Sequence, residues 1–315
     1  MASKIKEPNK SKVSKSGWRH DFLMNKGLYL LMIPIILYFV IFNYAPMFGL
    51  VIAFQDFKPT RGILGSDWVG MKNFIDFFTG PSFLVILRNT LTISLLGLFI
   101  GFPIGILFAL LLNELKILPF KKTVQTISYL PYFVSMVVIA GLIIEFCSSN
   151  GIITNLLVAI FGIPRENLLT NPNYFWAINL ISDIWQGVGY GSIIYVASIT
   201  SVSGELHEAA AIDGATRLKR VLHITIPGIM PTIVTMLVLK CGMLMNVGFD
   251  KILLLYNPSI YSTADVISTH VQRMGIEGAR YGYSTAVGLF NSVVGTLLLL
   301  ISNYLSKKLA DQSIV

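Results

Sequence analysis

Long apolar stretches separated by short polar segments dominate this chain. A helix of about 20 largely apolar residues is enough to cross a bilayer. Six stretches qualify, at about 28–48, 83–112, 127–146, 174–199, 228–249 and 283–305. The second is long enough to tilt or to extend beyond the bilayer. Pro34, Pro103 and Pro131 lie in or near these stretches, where neighbouring helices can satisfy the freed backbone groups. The pattern predicts an all-α polytopic membrane protein with six transmembrane helices.

Composition agrees. Hydrophobic residues make up 54% of the chain and charged residues 13%, with a mean hydropathy of +0.69; a soluble domain carries about a quarter charged residues. The formal net charge of +8 would suit a nucleic-acid binder, but its placement points to lipid. Residues 1–27 hold seven Lys and Arg against two acids, directly before an apolar run. Basic tails beside spans face the anionic cytoplasmic leaflet, and no nucleic-acid partner is expected. The two tails with the 113–126 and 200–227 loops hold 15 Lys and Arg; the other loops and their borders hold 8, and Lys240 lies inside a span. The positive-inside rule therefore places both termini, and the 200–227 loop, in the cytoplasm. The first apolar run, 28–54, exceeds a signal-peptide core of about 7–15 residues, and no small-x-small site follows it. It reads as a retained anchor.

Several chemistries find no footing. Cys147 sits near an expected helix end and Cys241 inside a span, which argues against a disulfide between them. His20, His207, His223 and His270 lack metal-ligand spacing. His207-Glu208 begins like a zinc-protease helix, but Ala211 stands where the second His is required. No Gly-rich phosphate loop ending in Gly-Lys-Ser/Thr is present. The Gly187-Val-Gly-Tyr-Gly191 cluster falls inside a span, where it reads as close helix packing.

Polar residues inside spans are costly and face the bundle interior or a wet cavity. Asn179, Asp183, Gln186 and Tyr190 follow i, i+4, i+7, i+11 spacing and form one stripe on the fourth stretch. Asp183 and Lys240 each lie about nine residues from the outer end of their spans, roughly 13 Å deep at 1.5 Å per residue. That common depth pairs Asp183 with Lys240. Trp185, Tyr190 and Asn246 join Asp183, Lys240 and the stripe as candidates for a translocation path, since aromatic faces and amides suit sugar rings. A structural ion pair and plain bundle packing account for the same residues without cargo. The 49–82 segment mixes aromatics with charge, in Phe54-Gln-Asp-Phe57 and Trp68-Val-Gly-Met-Lys-Asn-Phe74. It fits either the membrane interface or contact with an external partner.

Between the fourth and fifth stretches runs Glu208-Ala-Ala-Ala-Ile-Asp213-Gly214-Ala215, continuing to Ile224-Thr-Ile-Pro227. Ser203 suits an N-cap, with Glu205 in the first turn where it favours the helix dipole. Leu206, Ala209, Ala210 and Asp213 then share one face, which the alanines keep thin. Gly214 permits a bend, residues 216–223 a second short helix, and Pro227 the start of the next span. A solvated amphipathic connector would look similar on local grounds. The full spacing, however, resembles the EAA loop of binding-protein-dependent ABC importer permeases, which docks into a cleft on the ATP-hydrolysing subunit. Val221 and Leu222 depart from the pattern, standing where an aromatic is common. Over nearly its whole length the chain looks like carbohydrate-uptake permeases of the MalF and LplB types. Tyr29 to Phe57, Trp68 to Phe74, Arg88-Asn-Thr-Leu91 and Leu130-Pro-Tyr-Phe133 carry that likeness. The opening segment looks closest to LplB-like members, associated with complex and uronate-containing oligosaccharides.

The resemblance implies a type I ABC importer transmembrane-domain architecture. Glu208, Ala209, Ala210, Asp213, Gly214, Ala215 and Pro227 would then couple the chain to the ATPase. This chain would bind no cofactor and catalyse nothing, with ATP and Mg held by a partner ATPase dimer. A second, related permease would complete a heterodimer, and an extracellular sugar-binding lipoprotein would deliver the oligosaccharide. The chain would sit, multi-pass, in a bacterial cytoplasmic membrane. Residues 1–27 form a basic cytoplasmic tail, 28–305 the permease domain with its coupling loop at 200–227, and 306–315 a cytoplasmic C-terminal tail. Two other readings compete. An ion-coupled secondary transporter would be supported by inverted repeats, and the six stretches display no convincing duplication. A membrane scaffold has no need of a buried polar stripe beside a docking loop.

Overall fold

The computed structural model describes residues 18–310. Most of the basic tail at 1–27 and the last five residues of the 306–315 tail lie outside the described residues. The chain divides into a unit ending at Val51 and a larger unit beginning at Ile52. The first is helical throughout its described part: Trp18–Met24, then Lys26–Phe39, a π turn at Val40–Tyr44 and a 3-10 stretch at Ala45–Phe54 that carries the chain into the second unit.

In the second unit, Phe83–Leu96, a π turn at Gly97–Gly101 and Phe102–Glu114 make one continuous 32-residue helix. At 1.5 Å per residue it is about 48 Å long, well beyond a hydrocarbon core of about 30 Å. Its π turn ends two residues before Pro103. The π turns at Val40–Tyr44 and Val221–Thr225 likewise end two residues before Pro46 and Pro227, whereas the one at Arg273–Glu277 has no proline after it. A proline lacks the N–H donor and its ring presses on the carbonyl four residues back. Widening the preceding turn to i→i+5 bonding relieves both problems, so these helices continue through their prolines.

The third expected span is cut. Pro131 has no N–H for the Ile127 carbonyl, so Leu118–Tyr129 gives way to a 3-10 turn at Leu130–Phe133, and Val134 is extended. A new helix starts at Met136 with Ser135 as its cap, the hydroxyl accepting from Val138 N–H at 3.5 Å. This apolar segment runs to Phe161 rather than ending at 146, with a bend at 148–151 between Met136–Cys147 and Ile152–Phe161. The fifth stretch is displaced too. Helix Arg217–Gly242 is unbroken through its π turn but stops at Gly242, and residues 243–248 are irregular. The last helix is Tyr281–Ala310.

Among the described residues, five helices are long and apolar enough to cross a membrane: Lys26–Phe54, Phe83–Glu114, Met136–Phe161, Arg217–Gly242 and Tyr281–Lys308. The remaining expected span, the fourth, is the 29-residue helix Pro172–Thr200, whose polar stripe keeps it out of that set. Asn171 caps it, accepting from Asn173 N–H at 3.0 Å, and Pro172 opens it, where a missing N–H costs nothing. This helix packs against Phe102–Glu114, Leu118–Tyr129 and Ile226–Gly242. Its closest approach is at Gly189, where a Cβ would collide with the Ser128 carbonyl. That is the close packing expected of the glycine cluster. Gly187 and Gly191 have open space instead.

Candidate functional site

The irregular segment 243–248 marks the site. Backbone that leaves a helix at membrane depth is tolerated where it is buried in protein or lines a water-filled space. Met243, Leu244, Asn246, Val247 and Gly248 line a cavity of about 420 Å³. Ser94, Gly97 and Gly101 of the long helix form another wall, and Asp183, Gly187 and Gly191 of Pro172–Thr200 a third. Lys240, in the last turn before the break, also faces this space. The Ser94 hydroxyl donates to the Leu244 carbonyl, tying the irregular segment to the long helix.

Asp183 does not pair with Lys240. Its partner is Lys251, on the short helix Phe249–Leu255, with Nζ 2.5 Å from Oδ1. The same ammonium donates to the Asn179 carbonyl at 2.9 Å and the Ser182 hydroxyl at 3.0 Å, which uses all three of its protons. Asn179 Nδ2 donates to Asp183 Oδ2 at 3.1 Å. The Lys251 side chain is 1% exposed and that of Asp183 51%, so the acid bridges a dry anchor and the cavity. Asp183 and Lys240 stay apart because the helix ends at Gly242 and the chain folds back to bring Lys251 in. That return brings a lysine expected in an outer loop against the stripe. Lys251 and Ser182 were missed by sequence reasoning; the available signal was one charge set directly before the apolar run Ile252-Leu-Leu-Leu255.

The other path candidates separate. Asp183, Lys240 and Asn246 line the cavity, and Asn246 also borders a second space of about 260 Å³ beside Asn291 and Thr296. Asn179 is buried behind Asp183. Tyr190 stacks on Tyr132 with ring centroids 3.9 Å apart, which fixes the Leu130–Phe133 turn to the helix. Trp185 and Gln186 are off the cavity wall, Trp185 exposed and Gln186 half-buried. The stripe is therefore a bundle-fixing feature at Tyr190 and a cavity feature at Asp183.

The 204–227 region is an exposed helix–turn–helix. Gly204–Ile212 ends at Asp213, and Gly214 takes φ +78°, the left-handed region that glycine enters freely. Ala215 N–H then bonds the Ala210 carbonyl at 2.8 Å and Gly214 N–H the Ala211 carbonyl at 3.2 Å, closing the helix end. Thr216 caps Arg217–Arg220, accepting from Lys219 N–H at 3.4 Å. Ser203 holds the N-cap position, but its side chain accepts no capping hydrogen bond. Glu208, Ala209 and Asp213 are exposed, while Ala210 and Ala215 are half-buried. Among the described residues Glu208 and Asp213 form no ion pair. Ile212 and Leu218 stand 87% and 68% exposed at the tip. Pro227 lies apart from this turn, in the first turn of Ile226–Gly242.

A second polar cluster secures the 249–280 segment. Arg273 grips Asp265 through two hydrogen bonds, of 3.0 and 2.5 Å, and Thr269 donates to the same carboxylate at 2.9 Å. Those bonds hold the guanidinium even further above its ordinary range. Asn89 donates to the Asp265 carbonyl at 3.0 Å. His270 meets the Tyr283 hydroxyl at 2.9 Å. Burial pushes the imidazole below its ordinary value; Asp265 opposes this, and Arg273 and Arg280 reinforce it.

The family described as binding-protein-dependent transport system inner membrane component matches residues 101–311. The polygalacturonan/rhamnogalacturonan transport system permease protein YteP of Bacillus subtilis (strain 168) is 44% identical over 292 residues, covering 93% of this chain and 91% of that protein. Protein LplB of the same organism is 40% identical over 298 residues, covering 94% and 93%. A crystal structure of a bacterial ABC transporter involved in the import of the acidic polysaccharide alginate superposes with a TM-score of 0.85 at 43% identity, over 92% of this chain and 98% of that one. A second, of the alginate transporter in complex with alginate pentasaccharide-bound periplasmic protein, gives 0.86 at 42% identity, over 93% and 98%. With a family match over more than half its length and such relatives nearly end to end, the chain belongs to the inner-membrane components of binding-protein-dependent transport systems.

Proposed function

We propose that this chain is the permease subunit of an ABC importer and that its cargo is an acidic oligosaccharide handed over by an external binding protein. One observation carries the reading. The exposed turn at Gly214 opens directly into the unbroken helix Arg217–Gly242, whose far end becomes the irregular wall of the cavity. At 1.5 Å per residue those 26 residues span about 39 Å. A displacement of the loop is thus delivered by one rigid rod to residues 243–248. ATP hydrolysis falls to a separate subunit, which would grip the turn around Glu208, Asp213 and Ala215.

The cargo class is supported by the relatives: one serves polygalacturonan and rhamnogalacturonan, and the solved neighbours import alginate, an acidic polysaccharide. The neighbour bound to a loaded periplasmic protein supports a binding-protein partner for this chain. A second permease would close the open side of the cavity. The test is co-purification from detergent-solubilised membranes together with ATP-driven uptake, for the wild type and Gly214→Val. A branched side chain at φ +78° forces the turn to rearrange. The expected outcome is normal membrane insertion, loss of the ATPase from the complex and loss of uptake. An ATPase retained with normal uptake would overturn the coupling role. Uptake without ATP, abolished by an ionophore, would instead establish an ion-coupled carrier.

A further inference from the structure

We infer that Lys240 supplies the fixed positive charge that meets the carboxylates of an acidic sugar chain inside the cavity. This rests on the cargo class proposed above and assigns to one residue the selection of charge. The cavity wall carries one carboxylate, Asp183, and one ammonium, Lys240. Asp183 is already neutralised by Lys251, which sits behind it and is itself spent on three acceptors. The balance left on the wall is a single positive charge. Among the described residues the Lys240 side chain has neither an ion pair nor a hydrogen bond.

An unpaired ammonium within a membrane span persists where it faces water or an anion. Lys240 is placed for this: its helix ends two residues later, and the wall that follows includes Asn246, whose side-chain amide has no hydrogen-bond partner among the described residues. The last turn of a helix also favours a cation through the helix dipole. That explains why a positive charge is tolerated there, but not why it faces the cavity. Lysine rather than arginine is informative as well. A compact ammonium attracts a carboxylate as a point charge without clamping it in one two-pronged geometry. A path must bind each passing group weakly enough to release it, and successive uronate carboxylates can then exchange on one Nζ.

The experiment uses the complete importer reconstituted in vesicles with its binding protein, and trigalacturonate as the probe. Uptake and ATP hydrolysis are measured in parallel for wild type, Lys240→Gln, Lys240→Glu and Lys240→Arg. Losing one charge-assisted contact predicts roughly tenfold slower uptake for Gln, slower still for Glu, and for Arg an uptake between Gln and wild type, its charge kept and its two-pronged grip slowing release. Complex assembly should be unchanged in all three. Wild-type uptake by Lys240→Gln would overturn the inference, as would an Arg variant as slow as Gln, since shape rather than charge would then matter. So would loss of the assembled complex in the Gln variant, which would place Lys240 at a subunit contact. If the wild type itself fails to take up trigalacturonate, the cargo class fails, and the charge assignment with it.

Discussion

Asp183 and Lys251 make an asymmetric pair, so the two ways of breaking it should differ. In Asp183→Asn the ammonium of Lys251 stays fully buried and loses its counter-charge, keeping the Asn179 carbonyl and Ser182 hydroxyl as acceptors. Stranding one charge of a buried pair costs about 3–5 kcal/mol. With the two acceptors retained, and an amide oxygen still within reach, the low end applies, about 3 kcal/mol. In Lys251→Met the remaining carboxylate is half exposed to the cavity and can be hydrated. The loss is then the two hydrogen bonds to the Asn179 carbonyl and the Ser182 hydroxyl, which stay bonded to each other at 2.9 Å, about 1–2 kcal/mol. The double variant removes both charges and should be more stable than Asp183→Asn alone, a coupling of at least about 1.5 kcal/mol.

The assay is thermal unfolding of detergent-purified protein, followed by intrinsic fluorescence. Each kcal/mol corresponds to roughly 2–4 °C in a chain of this class. Asp183→Asn should therefore melt about 6–12 °C below wild type and Lys251→Met about 2–8 °C below. Adding Lys240→Met to Asp183→Asn should recover nothing, because Lys240 lies outside the pair. The reasoning fails if Lys251→Met is the more damaging single change, if the double variant is merely additive, or if Lys240→Met rescues.

Further outcomes follow from other parts of the structure. Gly189→Ala should cost about 1–3 kcal/mol by prising the Leu118–Tyr129 helix away from Pro172–Thr200, whereas Gly187→Ala, with open space around it, should melt like wild type. His270 is held below its ordinary value of 6.5, so the unfolded chain takes up a proton first as pH falls. Stability contributed by the neutral imidazole is present above that value and declines below it. The wild-type melting temperature should fall more steeply below pH 6.5 than that of His270→Gln, and parallel profiles would remove His270 from the account.

Sequence reading reached local features well. The helix–turn–helix at 204–220 was legible because its requirements are local: a residue able to take positive φ at 214 and small residues before it; the cap forms at Thr216 and not at Ser203, where the sequence pointed. The stripe on Pro172–Thr200 was legible because helical spacing alone defines a face. What it could not supply was where that face points along its length. Tyr190 meets an aromatic turn created by Pro131, and Asp183 meets a lysine brought back by a chain reversal; both depend on non-local packing. The early end of the fifth span is of the same kind. Residues 243–245 are apolar enough to continue a helix, but Gly242 packs directly on Leu299 of the last helix. Asn246 and Gly248 then follow, both poor helix formers. A hydropathy count sees only the composition of that segment, and so extends the helix to 249.

The end of that helix also sets how motion could reach the cavity. The Ser198 and Thr232 hydroxyls lie 2.8 Å apart where Pro172–Thr200 crosses Ile226–Gly242. Thr232 is about 22 Å along the rod from Arg217 and about 15 Å from Gly242. A tilt about this crossing moves the two ends in opposite senses, the cavity end by about two thirds of the loop end. Downstream of Gly242 the wall is held by the Ser94–Leu244 hydrogen bond and by Lys251 on Asp183. The first is a single neutral bond, and the second is a charged pair with two further acceptors. A push from the loop therefore meets its weaker restraint at Leu244, between Lys240 and Asn246. If the loop drives the rod as proposed, the groups facing the cavity shift first, while the anchor behind Asp183 stays in place.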